Sequence, residues 1–181
     1  MKRKISFILL LTITIIISII LIIYIANNNP FDSSEKYLAK YRIYNEDGWS
    51  EWYKDGETCG EKNKAIKAIE VAVRGDKKGN VLYNIYSEVD KFNDNDSYNG
   101  DTAGNLKSSI YGIRLSLSDE LYKKFNIVYR TYNKKDGWLD WTTDYRISGD
   151  NGVDIEMIEI KVVSSSEKIK TSERSYIGEF K

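Results

Sequence analysis

The chain has 181 residues, 30% of them charged, with 27 Lys and Arg against 27 Asp and Glu and no His. Setting aside Lys2, Arg3 and Lys4, 24 bases face 27 acids, a balance of about −3, which lacks the basic face that nucleic-acid binding needs. Without His the usual acid–base shuttle and the commonest metal ligand are missing, and no Gly-rich phosphate loop, Ser elbow or Cys cluster appears.

Met1 to Lys4 is basic, and Ile5 to Ala26 is a run of 22 residues with no charge. As a helix that run spans about 33 Å at about 1.5 Å per residue, enough for the hydrocarbon core of a bilayer. A cleaved signal peptide has a shorter apolar core and an Ala-x-Ala-like exit. Ala26-Asn27-Asn28-Asn29-Pro30 offers no such site, and no Cys follows for lipidation. Residues 1–26 are therefore expected as a cytoplasmic basic stub and an uncleaved transmembrane signal-anchor, with everything after it outside the cytoplasm. Residues 27–36 are polar and Asn-rich and read as a linker.

From residue 37 to 164 one stretch is written three times, over about 37–75, 81–117 and 122–163. The first copy runs Tyr41-Arg42-Ile43-Tyr44-Asn45, then Asp47-Gly48-Trp49 and Trp52, then Asp55-Gly56-Glu57-Thr58-Cys59-Gly60, and closes on Ile69-Glu70-Val71-Ala72-Val73. The third opens Tyr129-Arg130-Thr131-Tyr132-Asn133, continues Asp136-Gly137-Trp138 and Trp141, and ends Ile158-Glu159-Ile160-Lys161-Val162. From Trp49 to Gly60, Ile66, Ile69, Val71 and Val73 the steps are 11, 17, 20, 22 and 24, and from Trp138 to Gly149, Ile155, Ile158, Ile160 and Val162 they are the same. The middle copy keeps the second half. Asn99-Gly100-Asp101-Thr102-Ala103-Gly104 and then Ile110, Ile113, Leu115 and Leu117 lie 44 positions after their counterparts. Its tryptophan slots hold Asn93 and Asp96.

Each last strand alternates, with Ile69, Val71 and Val73 opposing Glu70 and Arg74, for example. Period-two patterning of this kind predicts antiparallel strands with one face in a core and one charged face. The 14 Tyr and single Pro suit such pleated surfaces. Asn45-Glu46-Asp47-Gly48 reads as a hairpin turn. Three copies are too few for a solenoid and less than half a propeller, so the expected fold is all-β, a pseudo-threefold β-prism-like domain with about three strands per copy. A β-trefoil, with four strands per copy, is the alternative. Residues 165–181 read as either a frayed tail or a closing strand.

Gly-Trp-x-x-Trp, a Gly-x-x-x-Gly turn such as Gly56 to Gly60 and a terminal Ile-x-Ile/Val strand resemble the clostridial hydrophobic repeat with its Gly-Trp signature (the ChW repeat). The resemblance covers about residues 37 to 163. Glu156 keeps the Glu that family copies carry before the last strand, where Lys67 and Tyr111 stand in the other two copies; the His frequent in the family's first strand is absent. The resemblance implies a non-catalytic cell-surface binding domain.

Positions three apart on a strand face opposite ways. Trp49 and Trp138 are accordingly expected in the core, with Trp52 and Trp141 outward. An outward indole beside Asp and Tyr makes a sugar platform, its ring stacking on C–H faces while side-chain oxygens bond hydroxyls. Covering by a loop or neighbouring sheet is the competing expectation. Asp55, Asp144 and Tyr145 follow at the strand ends as polar contacts, so the candidate ligand-binding residues are Trp52, Trp141, Asp55, Asp144 and Tyr145. Asn93 to Asp101 is rich in oxygen ligands but lacks the Gly and the distant Glu of a calcium loop, and reads as a solvated loop. Cys59 fills a small-residue slot matched by Ala103. No catalytic residue, metal or cofactor is assigned, although paired carboxylates for glycoside hydrolysis stay open. The expected function is a membrane-anchored, extracytoplasmic module whose partner is cell-wall or extracellular polysaccharide. The alternative is a structural or accessory subunit that meets a cell-envelope protein.

Overall fold

A computed structural model describes residues 12–22, 38–75, 78–168, 170 and 173–180. The chain divides into two compact units, Met1–Asp32 and Ser33–Lys181. In the first, residues 12–22 are helical and exposed. The rest of the anchor expected over 5–26, and the linker over 27–36, lie outside the described residues. Among the described residues no helix is long and apolar enough to cross a membrane.

The second unit is mostly β-sheet. Copy one folds as β1 (Leu38–Asn45), β2 (Gly48–Trp49), β3 (Tyr53–Lys54), β4 (Cys59–Gly60) and β5 (Ala68–Arg74). Copy two folds as β6 (Val81–Ser87), β7 (Ser97–Tyr98), β8 (Ala103–Gly104) and β9 (Ile110–Leu117). Copy three folds as β10 (Phe125–Asn133), β11 (Gly137–Trp138), β12 (Thr142–Thr143), β13 (Ser148–Asp150) and β14 (Met157–Ser164). Each copy therefore has four or five strands rather than about three, because the two-residue ladders flanking each turn also pair. A short helix, Asp119–Lys124, separates copies two and three and buries Leu121. Its acidic first turn and basic last turn match the helix dipole.

The long strands pair within a copy, antiparallel: β1 with β5 through Tyr41↔Val71, β6 with β9 through Tyr83↔Leu115, β10 with β14 through Tyr129↔Ile160. The short Gly strands do not stay at home. β4 pairs with β14 of copy three, β8 with β5 of copy one, and β13 with β9 of copy two. Each sheet thus borrows a strand from another copy, and the exchange is cyclic. Three glycines make the docking possible. A Cβ on Gly60 would sit 2.3 Å from the Glu156 carbonyl, on Gly104 2.4 Å from that of Lys67, and on Gly149 2.1 Å from that of Tyr111. All three have φ between +109° and +151°, conformations that suit residues without a side chain.

The same cycle closes through backbone. The Ile66 amide donates to the Ile155 carbonyl at 2.8 Å, Ile155 to Ile110 at 2.9 Å, and Ile110 to Ile66 at 2.8 Å. These isoleucines are buried in one core with Ile69, Ile113 and Ile158. Tyr41, Tyr83 and Tyr129 join them at equivalent places, their hydroxyls donating to the carbonyls of Glu57, Asp101 and Arg146. Burial first, and nearby carboxylates after it, hold all three phenols far above their ordinary value of 10.0. The C-terminal segment adds β15 (Tyr176–Ile177), parallel to β13, to the second sheet. Phe180 then packs over Gly112, where a Cβ would meet its ring at 2.6 Å.

Candidate functional site

The outward face of each sheet is not the solvated charged face that alternation suggests. Glu70 and Glu159 point outward, yet each is only 7% exposed. In the first sheet Arg42 Nε donates to Glu70 Oε2 at 2.7 Å, and Thr102 Oγ1, from copy two, donates to the other carboxylate oxygen at 2.7 Å. In the third, Arg130 Nε and Thr58 Oγ1 hold Glu159 in the same way, at 2.7 and 2.6 Å. The four tryptophans complete these assemblies. The Arg42 guanidinium lies 4.7 Å from the Trp49 ring and 4.9 Å from Trp52, and Arg130 lies 4.6 Å from Trp138 and 4.8 Å from Trp141.

Trp49 and Trp138 are thus half-buried on the outer face and not in the core. The alternation rule fails here because the chain leaves the strand after each Gly-Trp. Ser50 to Trp52 and Leu139 to Trp141 are outside any strand, so both indoles curl onto one side and grip the guanidinium. Leu139 takes the interior instead. Tyr44 and Tyr132 brace Trp49 and Trp138 edge-on, with centroids 5.5 and 5.6 Å apart. Each cation–ring contact contributes about 0.5 to 2 kcal/mol, and each guanidinium neutralises a carboxylate that is costly to bury alone.

The second sheet builds the same layer from other residues. Its cation, Arg114, comes from the last strand, and lies 4.7 Å from Phe92 and 4.2 Å from Tyr145. Arg114 donates to the Asn93 carbonyl at 2.6 Å, while its buried Nε has no partner among the described residues. Phe92 packs on Tyr86, the counterpart of Tyr44. The Asn93–Asp101 loop is drawn in by Asn84, whose amide donates to the Asn93 and Asn95 carbonyls and to Asp96 Oδ1. No group of three or more His, Cys, Asp or Glu able to hold a metal ion occurs among the described residues.

Asp55, Asp144 and Tyr145 fare differently from one another. Asp55 Oδ1 accepts from the Ala39 amide at 2.6 Å and, with Oδ2, from Val162 at 3.3 Å, tying copy one to the third sheet. Asn99 does the equivalent work for Val81 and Val73. Asp144 occupies the third such place but turns outward. It is exposed, and its carboxylate accepts only from Thr143 Oγ1 at 3.5 Å among the described residues. Asp144 and Tyr145 have φ of 55° and 63°, whereas copies one and two put Gly56 and Gly100 at the Tyr145 place. The Tyr145 amide still donates to the Leu115 carbonyl at 2.9 Å, as Gly56 does to Ile160 and Gly100 to Val71 at 2.8 Å.

Asp144 and Tyr145 line an open cleft of about 370 Å³ with Ser116, Leu117, Asp119 and Tyr122. Three of these six are non-glycine residues at positive φ, since Asp119 has φ of 54°. Non-glycine residues in that conformation cost about 1 kcal/mol or more and gather at ligand sites. The Tyr145 hydroxyl donates to Asp96; burial and that carboxylate push its phenol up to about 12. Tyr122 is 58% exposed. Nothing in the sequence sets Asp119, Tyr122 or Ser116 apart as binding residues, although Ser118-Asp119-Glu120 followed by Lys123-Lys124 is a helix signal.

Trp141 lines a separate pocket of about 150 Å³ with Val128, Val163, Lys161, Lys168 and Lys170. Trp52 and Asp55 line neither pocket. Cys59 is buried, its thiol 3.6 Å from Ser50 Oγ and pushed up to about 11 by burial. Comparison with family models, curated proteins and solved structures finds no match to this chain.

Proposed function

We propose that the second unit is a non-catalytic, extracytoplasmic binding module that recognises glycan at the cleft between Tyr122 and Asp144. The cleft itself carries this reading. It combines an exposed phenol ring able to stack on a sugar's C–H face, two aspartates and a serine for hydroxyl groups, and strained backbone that fixes them. Its volume lies within the about 300 to 1,000 Å³ of ordinary ligand sites. Three separate five-stranded sheets that exchange Gly strands in a cycle support a closed pseudo-threefold body of the β-prism kind. The Gly-Trp-x-x-Trp copies support membership of the clostridial hydrophobic repeat family, and the uncharged run over 5–26 supports a membrane anchor that displays the module outside the cytoplasm.

A glycan array probed with the full chain and with its Tyr122→Ala and Asp144→Asn variants tests the proposal. At least one glycan should bind, and either substitution should weaken it tenfold or more. Absence of any binding, or binding indifferent to both substitutions, overturns it. A membrane protein co-purifying with a chain that binds no glycan would instead support the accessory-subunit reading, in which Val89, Tyr98 and Leu106, all exposed apolar side chains of copy two, form the contact.

A further inference from the structure

The pocket beside Trp141 differs in kind from the Tyr122 cleft. Lys161 Nζ stands 4.8 Å from the Trp141 ring, and Lys168 and Lys170 line the same space. Glu167 is the one acid among the lining residues. None of these three lysines has a carboxylate partner among the described residues, although Lys64 and Lys135 elsewhere are both paired. The related position in copy one removes half the arrangement. Trp52 is stacked on Arg42 as Trp141 is on Arg130, but Ala72 replaces Lys161, and the uncharged Gly79 and Val81 stand where Lys168 and Lys170 follow in copy three. A partly enclosed space with an aromatic wall, apolar Val128 and Val163 and three ammonium groups against one carboxylate is a receptor for an anion carried on an apolar-faced ring.

We infer that this pocket binds the anionic group, carboxylate or phosphate, of an acidic saccharide, with the sugar ring against Trp141 and the charge between Lys161, Lys168 and Lys170. The inference builds on the glycan reading by naming the substrate class. The site is nevertheless distinct from the Tyr122 cleft, and the two fail separately.

The test is a titration of the full chain, at low salt, with carboxymethyl-dextran and with neutral dextran of equal length. Carboxymethyl-dextran should bind at least tenfold more tightly than dextran, and less tightly as sodium chloride screens the charges. Lys161→Gln, and separately the Lys168→Gln, Lys170→Gln double variant, should each weaken that binding tenfold or more, while Lys64→Gln leaves it unchanged. Inorganic phosphate should compete, with an affinity at least tenfold below that of the polymer; equal affinity would remove the sugar ring from the site. Thermal melts identical to the parent show that the lysine variants remain folded. Equal binding of both polymers, unaltered binding in the lysine variants, or binding only to phosphatidylglycerol vesicles overturns the inference. If acidic polymer fails while an array glycan still binds in an Asp144-dependent way, the pocket is refuted and the cleft survives.

Discussion

The first and third sheets clamp an arginine from the opening strand between two tryptophans and use it to neutralise a buried glutamate. The second sheet moves its cation to the closing strand. Asn84 replaces the arginine, Arg114 replaces the glutamate opposite it, and Phe92 and Tyr145 replace the indoles. A ring–cation–ring layer survives complete exchange of the residues that make it. The copy that looks most decayed in sequence therefore keeps this layer in structure. What it has lost is the buried carboxylate, and with it the strongest charge pair on that face.

The largest effect should come from what all three sheets share. Gly104→Val forces a Cβ toward the Lys67 carbonyl at a φ closed to branched side chains, and should cost about 3 kcal/mol or more. Gly60→Val and Gly149→Val should match it; urea unfolding that leaves any one unaffected would break the equivalence. Next come the clamps, where the sheets should diverge. Removing the carboxylate in Glu70→Ala or Glu159→Ala leaves a half-buried guanidinium without its partner, a loss of about 3 kcal/mol. Arg114→Met removes a cation with no carboxylate to balance and an unpartnered Nε, and should cost under about 1 kcal/mol. Equal losses in the three variants would contradict the distinction.

Alkaline titration sharpens the picture. Tyr41, Tyr83 and Tyr129 have folded values raised above their ordinary 10.0 by burial. Their neutral forms therefore stabilise the fold fully below pH about 10, and that contribution is lost as pH rises through the folded values. Cys59, raised from 9.0 to about 11, begins the loss earlier. The urea midpoint should hold to pH about 9 and fall above it, and Cys59→Ala should move the onset to about 10. The smallest stability effect is expected for Tyr145→Gly, which copies the other two repeats. Relief of backbone strain offsets loss of the ring on Arg114, so the net change should stay within about 1 kcal/mol, while binding at the cleft is lost on the array.

Much of the core is legible in the sequence because the repeat spacing places Ile66, Ile110 and Ile155 in register and alternation assigns their neighbours a face. The strand exchange is not legible. A two-residue Gly strand carries no pattern naming its partner, and only the closed approach of Gly60, Gly104 and Gly149 to foreign carbonyls identifies it. The tryptophans mislead because strand alternation is applied across a turn. Asp55 and Asp144 have the same sequence place, yet one ties two sheets together and the other opens to solvent, since Tyr145 fills a glycine position and shifts the turn. Phe180 lies far along the chain from Gly112, whose missing side chain is the only hint that a ring lands there.

Amide hydrogen exchange at Ile66, Ile110 and Ile155 tests the central claim most directly, that three copies close on one another in a cycle. Each of these N–H groups donates to the next copy's isoleucine. All three should therefore exchange only by global unfolding, with one common free energy equal to that from urea denaturation. Exchange of any one of them by local opening, well below that value, would contradict a closed ring.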